Sequence, residues 1–100
     1  MAHQIIVKKR FTNKVVKLLI YLESEWGKNV AEALIVRLNK RIEQLAQQPY
    51  TGANSGIKNC RSVLITKHNR LYYRISDNTI EILNIYSTRI NPVKNPFYKK

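Results

Sequence analysis

Apolar side chains along this chain change their period twice, and the changes mark out its elements. His3 to Lys9 reads HQIIVKK, with the β-branched Ile5, Ile6 and Val7 at its centre, which predicts a first strand. Beyond Phe11, the residues Val15, Leu18, Leu19, Leu22 and Trp26 recur at spacings of three and four. That is one face of a helix, with Thr12 or Asn13 as its N-cap and Trp26 expected to close the core of a helical hairpin. Gly27 breaks the run. Val30, Leu34, Leu38, Ile42 and Leu45 then form a second stripe, with Asn29 as cap and Glu32 at the capping-box offset. Arg37, Lys40, Arg41 and Gln44 line much of the rest of that helix. Pro49 ends it, because the proline ring disfavours α geometry in the residue before it. Two helices joined by so short a turn fold back on each other as an antiparallel hairpin.

The segment Pro49 to Asn59, PYTGANSGIKN, is rich in turn residues and reads as a loop. After it the period falls to two. Cys60 to Thr66, Arg70 to Ile75 and Thr79 to Tyr86 read as strands, joined at Lys67-His68-Asn69 and at the hairpin turn Asp77-Asn78. In RLYYRI, Leu71, Tyr73 and Ile75 share one face, while Arg70, Tyr72 and Arg74 share the other. The last strand, TIEILNIY, is apolar on both faces and is predicted to lie inside the sheet. The order β-α-α-β-β-β predicts an α+β fold, an antiparallel sheet with a two-helix hairpin packed on one face. The other face is expected to stay open, concave and basic. At 100 residues the chain can bury one modest core, so residues 1–100 are expected to form a single domain.

Charge narrows the function. Eighteen Lys and Arg stand against six Asp and Glu, a net charge of +12. Such an excess attracts polyanions, whether nucleic acid, the ribosome or an acidic protein segment. The one cysteine, Cys60, has no intramolecular partner for a disulfide, which suits a reducing compartment. No stretch has the pattern of a signal peptide or the length and apolarity of a membrane span, so a cytoplasmic protein with no membrane partner is expected. The carboxylates of Glu23, Glu25, Glu32, Glu43, Asp77 and Glu81 are scattered, without two-metal spacing. His3, His68 and Cys60 lack a metal-site pattern. Neither a metal nor a cofactor is expected.

The hairpin RLYYRISDNTIEILNIYSTRINP, Arg70 to Pro92, and the Pro-x-x-Gly of Pro49 to Gly52 resemble toxins of the RelE/ParE superfamily. Element order, length and charge carry the resemblance over essentially the whole chain. It implies the toxin component of a bacterial type II toxin–antitoxin module. Such a protein arrests growth when free and is masked by a cognate antitoxin, expected to lay an apolar and acidic segment across the helical hairpin or the basic sheet face. RelE-like members cut mRNA in the ribosomal A site, whereas ParE-like members inhibit DNA gyrase and are not known for nuclease chemistry.

Metal-free RNA cleavage needs a base for the 2′-hydroxyl, cations for the phosphate and help for the leaving oxygen. The resemblance to the nucleases makes Arg61, Arg70 and Arg89 the candidate catalytic residues. Arg70 and Arg89 align with arginines that contact phosphate, and Arg61 falls near a lysine. A second nuclease lysine aligns near Val63 and a tyrosine near Asn95, with Tyr98 close by, so the chain departs from the nuclease set in two places. Arg74, Tyr72, Lys94 and Tyr98 are candidate substrate contacts, through charge or by stacking on bases. Each also has a plainer role. Arg70 and Arg74 fit solvated strand positions or ion pairs, Arg89 a loop anchor, and Tyr72 an amphipathic sheet position. For Lys94 and Tyr98, the plainer role is a frayed terminus. The arginines and the charge together favour ribosome-dependent mRNA cleavage. The alternatives are non-enzymatic gyrase inhibition, motivated by the missing lysine and tyrosine and by the long hairpin, and a non-toxic RNA-binding module.

Overall fold

A computed structural model describes residues 3–88 of the chain. Strand β1 (Gln4–Val7) leads into helices α1 (Lys9–Trp26) and α2 (Lys28–Gln47), and a 3-10 turn follows at Pro49–Thr51. Strands β2 (Ala53–Asn54), β3 (Cys60–Thr66), β4 (Asn69–Ser76) and β5 (Thr79–Ser87) complete the order. They form one five-stranded sheet in the order β1-β5-β4-β3-β2. The neighbours from β2 to β5 are antiparallel. β1 joins β5 in parallel, so the sheet is mixed. A parallel partner needs a long crossover, and here the helical hairpin is part of it, carrying the chain from one sheet edge to the other.

The sheet sets where α1 begins. Lys8 N–H donates to Ile82 O at 3.1 Å, and Thr12 N–H donates to Lys8 O at 3.2 Å. Strand pairing thus passes straight into helical pairing, and α1 starts at Lys9 with no side-chain cap, ahead of the Thr12 and Asn13 that the sequence suggests. α2 likewise has Gly27, not Asn29, at its N-cap position. Gly27 sits at φ 95°, a region that side chains rarely adopt. Its N–H closes α1 on Glu23 O at 3.0 Å, and its carbonyl accepts the first bond of α2 from Ala31.

Phe11, Leu34, Leu38 and Leu45 pack on Val63, Ile65, Leu71, Tyr73, Ile75, Ile80, Ile82 and Ile85. Val15, Leu18, Leu19, Leu22 and Ile42 pack around them, half-buried. Trp26 does not close this core. It is 69% exposed, Val30 is also exposed, and the small Ala31 is buried near the hairpin turn instead. Spacing identifies the face of a helix, but not how far along that helix the sheet extends to cover it.

A bulge explains how β5 is apolar on both faces. Tyr72 pairs with Asn84 but Tyr73 pairs with Ile82, leaving Leu83 as the extra residue. The alternation therefore slips by one. Ile80 and Ile82 face the helices before the bulge, and Ile85 faces them after it, while Asn84 and Tyr86 turn to the other side.

Candidate functional site

Residues directly opposite each other in a sheet point to the same side, so the register decides which candidates can meet. Arg61 pairs with Tyr73 and takes the helix side of the sheet. Arg70 pairs with Leu64, Tyr72 with Ser62, and Arg74 with Cys60, and these take the opposite side. Arg61 and Arg70 therefore lie on opposite faces and share no hollow among the described residues. Arg89, Lys94 and Tyr98 lie outside the described residues.

Arg61 is held by the loop before β2. Its Nη1 donates to Gly52 O at 2.7 Å and to Tyr50 O at 3.5 Å, with the guanidinium 5.2 Å from the centroid of the Tyr50 ring. The same loop is tied down by Tyr73, which is fully buried. Tyr73 Oη donates to Pro49 O at 2.6 Å and accepts the Gly52 N–H at 3.1 Å. A Cβ on Gly52 would stand 2.5 Å from that hydroxyl and 2.7 Å from Ser62 O. The Pro-x-x-Gly motif is thus the imprint of one tyrosine hydroxyl bonded to both ends of a tight turn. Spacing alone does not assign that role to Tyr73. Burial drives the Tyr73 phenol above its usual pKa, against the opposing pulls of the Gly52 N–H and the Arg61 charge.

On the other side, Arg70 Nη1 donates to Ser62 Oγ at 3.0 Å. Arg74 lies 3.8 Å from Glu81, whose other carboxylate oxygen is 2.9 Å from Lys8 Nζ. The hydrogen bond from Lys8 lowers the Glu81 pKa against the opposing effect of desolvation, and the charges of Lys8 and Arg74 lower it further. Arg74 is accordingly an ion-pair partner. The centre of this face is not open, as the sequence suggests, because Cys60, Ser62, Tyr72 and Asn84 are buried. The bulge brings Tyr86 edge-on to Tyr72 with ring centroids 6.1 Å apart. The Asn84 amide bonds to Ile85 N–H and to Tyr86 Oη. Lys14, reaching over from α1, places its ammonium 3.7 Å from the centroid of the Tyr86 ring.

Cations also line hollows elsewhere on the described surface. A hollow of about 420 Å³ is lined by Lys9, Arg10, Asn13, Lys14 and Lys17 on α1. A second, of about 310 Å³, is bordered by Arg37, Lys40, Arg41 and Gln44 on α2, with Ile65 of β3 at its floor. A third, of about 470 Å³, includes Tyr50, Asn54, Asn59, Arg61 and Asp77 on its walls. Among the described residues, no three of His, Cys, Asp and Glu come together as a metal-holding group. None of the described helices is long and apolar enough to cross a membrane.

Residues 5–92 match the pattern of a family described as the ParE toxin of the type II toxin–antitoxin system parDE. By sequence, no curated protein matches the chain. The fold is shared with several solved structures. A chain of the chromosomal ParDE system from P. aeruginosa superposes with a TM-score of 0.75 at 15% identity, over 86% of this chain and 96% of that one. A chain of the RelBE2 toxin–antitoxin complex from Mycobacterium tuberculosis gives 0.61 at 18% identity, over 87% and 99%. YoeB from Staphylococcus aureus, solved as a dimer, gives 0.57 at 14% identity, over 84% and 94%.

Proposed function

We propose that this chain, which belongs to the ParE toxin family of type II toxin–antitoxin systems, arrests growth by engaging DNA gyrase and not by cutting mRNA. The observation that carries this reading is the separation of Arg61 and Arg70 onto opposite faces of the sheet. A metal-free ribonuclease needs its cations converged on one phosphate. Here the Arg61 guanidinium holds the Tyr50–Gly52 turn, and Arg74 pairs with Glu81. Val63 is buried where the nucleases place a lysine. The helical hairpin also supports a role in binding a large protein. Its two helices run 18 and 20 residues, and Val16, Ile20, Tyr21, Trp26 and Val36 are exposed on it. A cognate antitoxin is the second partner in this proposal, an acidic chain that neutralises the +12 charge and covers apolar surface that is otherwise wet.

The deciding experiment uses toxin purified from its antitoxin complex. Added to gyrase and relaxed plasmid, it should block supercoiling and trap cleaved DNA. In a purified translation system it should leave transcripts whole. Normal supercoiling at saturating toxin, with transcripts cut only when ribosomes are present, would replace this reading with mRNA cleavage. That second reading draws on the charge and on Arg70, whose guanidinium needs only to leave Ser62 Oγ to meet a phosphate.

A further inference from the structure

The first turns of α1 carry a concentration of charge of which the fold uses little: Lys14 lies over the Tyr86 ring, and its neighbouring cations are exposed. Lys9, Arg10, Lys14 and Lys17, with Asn13 between them, surround one hollow. No carboxylate occurs in the sequence from Lys8 to Leu22. Lys8 is paired with Glu81, but among the described residues the other four cations form no salt bridge. The first turn of the helix holds no acid, so the positive end of its dipole adds to the same field. Lys9, Arg10 and Lys17 are exposed, and Lys14 is half-buried. Lys14 is held below the usual lysine pKa, first by its burial and then by the nearby Lys17 charge. Like charges held this close repel, and a bound polyanion relieves the repulsion.

We propose that this face of α1 binds the phosphate backbone of duplex DNA. The inference deepens the gyrase reading, since gyrase works on duplex DNA and an inhibitor docked there has DNA within reach. The match in spacing favours it. From Lys9 to Lys17 the helix rises about 12 Å at 1.5 Å per residue, and one strand of B-DNA carries a phosphate about every 3.4 Å of axis. The exposed Lys9, Arg10 and Lys17 therefore span the rise of about three phosphates of one strand. Asn13 adds a neutral donor for a phosphate oxygen. The hollow itself holds no aromatic or large apolar anchor of the kind a peptide ligand uses. A flexible single strand is the poorer fit, because the lining offers no aromatic platform for stacked bases.

The test is the salt dependence of binding of the full chain to a labelled DNA duplex, followed by fluorescence anisotropy. Replacing two phosphate contacts should flatten the slope of log K against log salt by about 1.8, at about 0.9 per contact. The K9Q/K17Q double variant should show that loss. A charge-matched double variant on α2, R37Q/K40Q, should lose less than half as much. Circular dichroism and the melting curve establish that both variants are folded, since all of these side chains are exposed. Equal losses in the two variants would mean diffuse attraction and overturn the site. Tighter, α1-dependent binding of single-stranded RNA or of polyglutamate would overturn DNA as its ligand. Supercoiling assays run on the same proteins keep this inference separate from the gyrase reading. Gyrase inhibition without α1-dependent DNA binding sinks only the present inference, and DNA binding without gyrase inhibition sinks only the earlier one.

Discussion

Replacing Tyr73 with phenylalanine deletes one oxygen and, with it, two buried hydrogen bonds. The hydroxyl donates to Pro49 O at 2.6 Å and accepts the Gly52 N–H at 3.1 Å, and the ring is fully buried. Pro49 and Gly52 are themselves buried, so water does not freely replace the lost partner. At about 1–1.5 kcal/mol for each bond, the change should destabilise the fold by about 2–3 kcal/mol. For a chain of this size that is a fall in Tm on the order of 10–15 °C. Urea unfolding, read by circular dichroism, measures it directly. Gly52→Ala attacks the same knot from the other side, because its Cβ would meet both the Tyr73 hydroxyl and the backbone oxygen of Ser62. It should cost about 3 kcal/mol. In the double variant the hydroxyl contact is gone but the Ser62 contact remains. The two effects should therefore sum to less than their separate values, with a coupling of about 1 kcal/mol. A Tyr73→Phe protein that unfolds at the wild-type urea midpoint would refute the knot, as would strict additivity in the double variant.

Other consequences follow from single contacts. The raised pKa of Tyr73 means that its stabilising effect is complete below pH 10.0, the ordinary phenol value, and is lost as pH rises through the folded-state value. Between pH 9 and 11 the wild type should therefore lose stability faster than Tyr73→Phe, and parallel curves would contradict this. Glu81 has the opposite sign. Its lowered pKa stabilises the fold fully above pH 4.5, and the effect fades as pH falls through the folded-state value. Glu81→Gln should accordingly be less acid-sensitive than the wild type between pH 5 and 3 in urea titrations, and an unchanged acid limb would rule out the Lys8–Glu81 contribution. Leu45→Ala should destabilise by about 2–5 kcal/mol, since Leu45 is 1% exposed in the core. Trp26→Ser should stay within about 0.5 kcal/mol of wild type, and a large loss on thermal melting would return Trp26 to the core.

Apart from the start of α1, found at Lys9 and not after Thr12 or Asn13, local periodicity was enough to place both helices, the Gly27 break, and the three long strands to within a residue or two. Each of these depends on neighbours in the chain, and spacing of two or of three and four reports them directly. The inward set Leu71, Tyr73 and Ile75 was legible for the same reason. So was the family resemblance in the Arg70–Pro92 hairpin and the Pro49–Gly52 turn. What needed the tertiary structure was every relation between residues far apart in sequence. The parallel pairing of β1 with β5 depends on where the chain returns after both helices and the strands β2 to β4. The start of α1 depends on a hydrogen bond from Lys8 to Ile82. A single bulged residue, Leu83, decides which side chains of β5 meet the helices. The candidate site divided along the same line. The sequence brought Arg61, Arg70 and Arg89 together by their alignment with a family pattern, but a strand's alternation puts Arg61 and Arg70 on opposite faces. The cluster on α1 was visible only as scattered lysines until the helix wrapped them around one hollow. Sequence determines what each element is made of. Register and docking, which set the direction each charge faces, come from contacts that close only when the whole sheet is assembled.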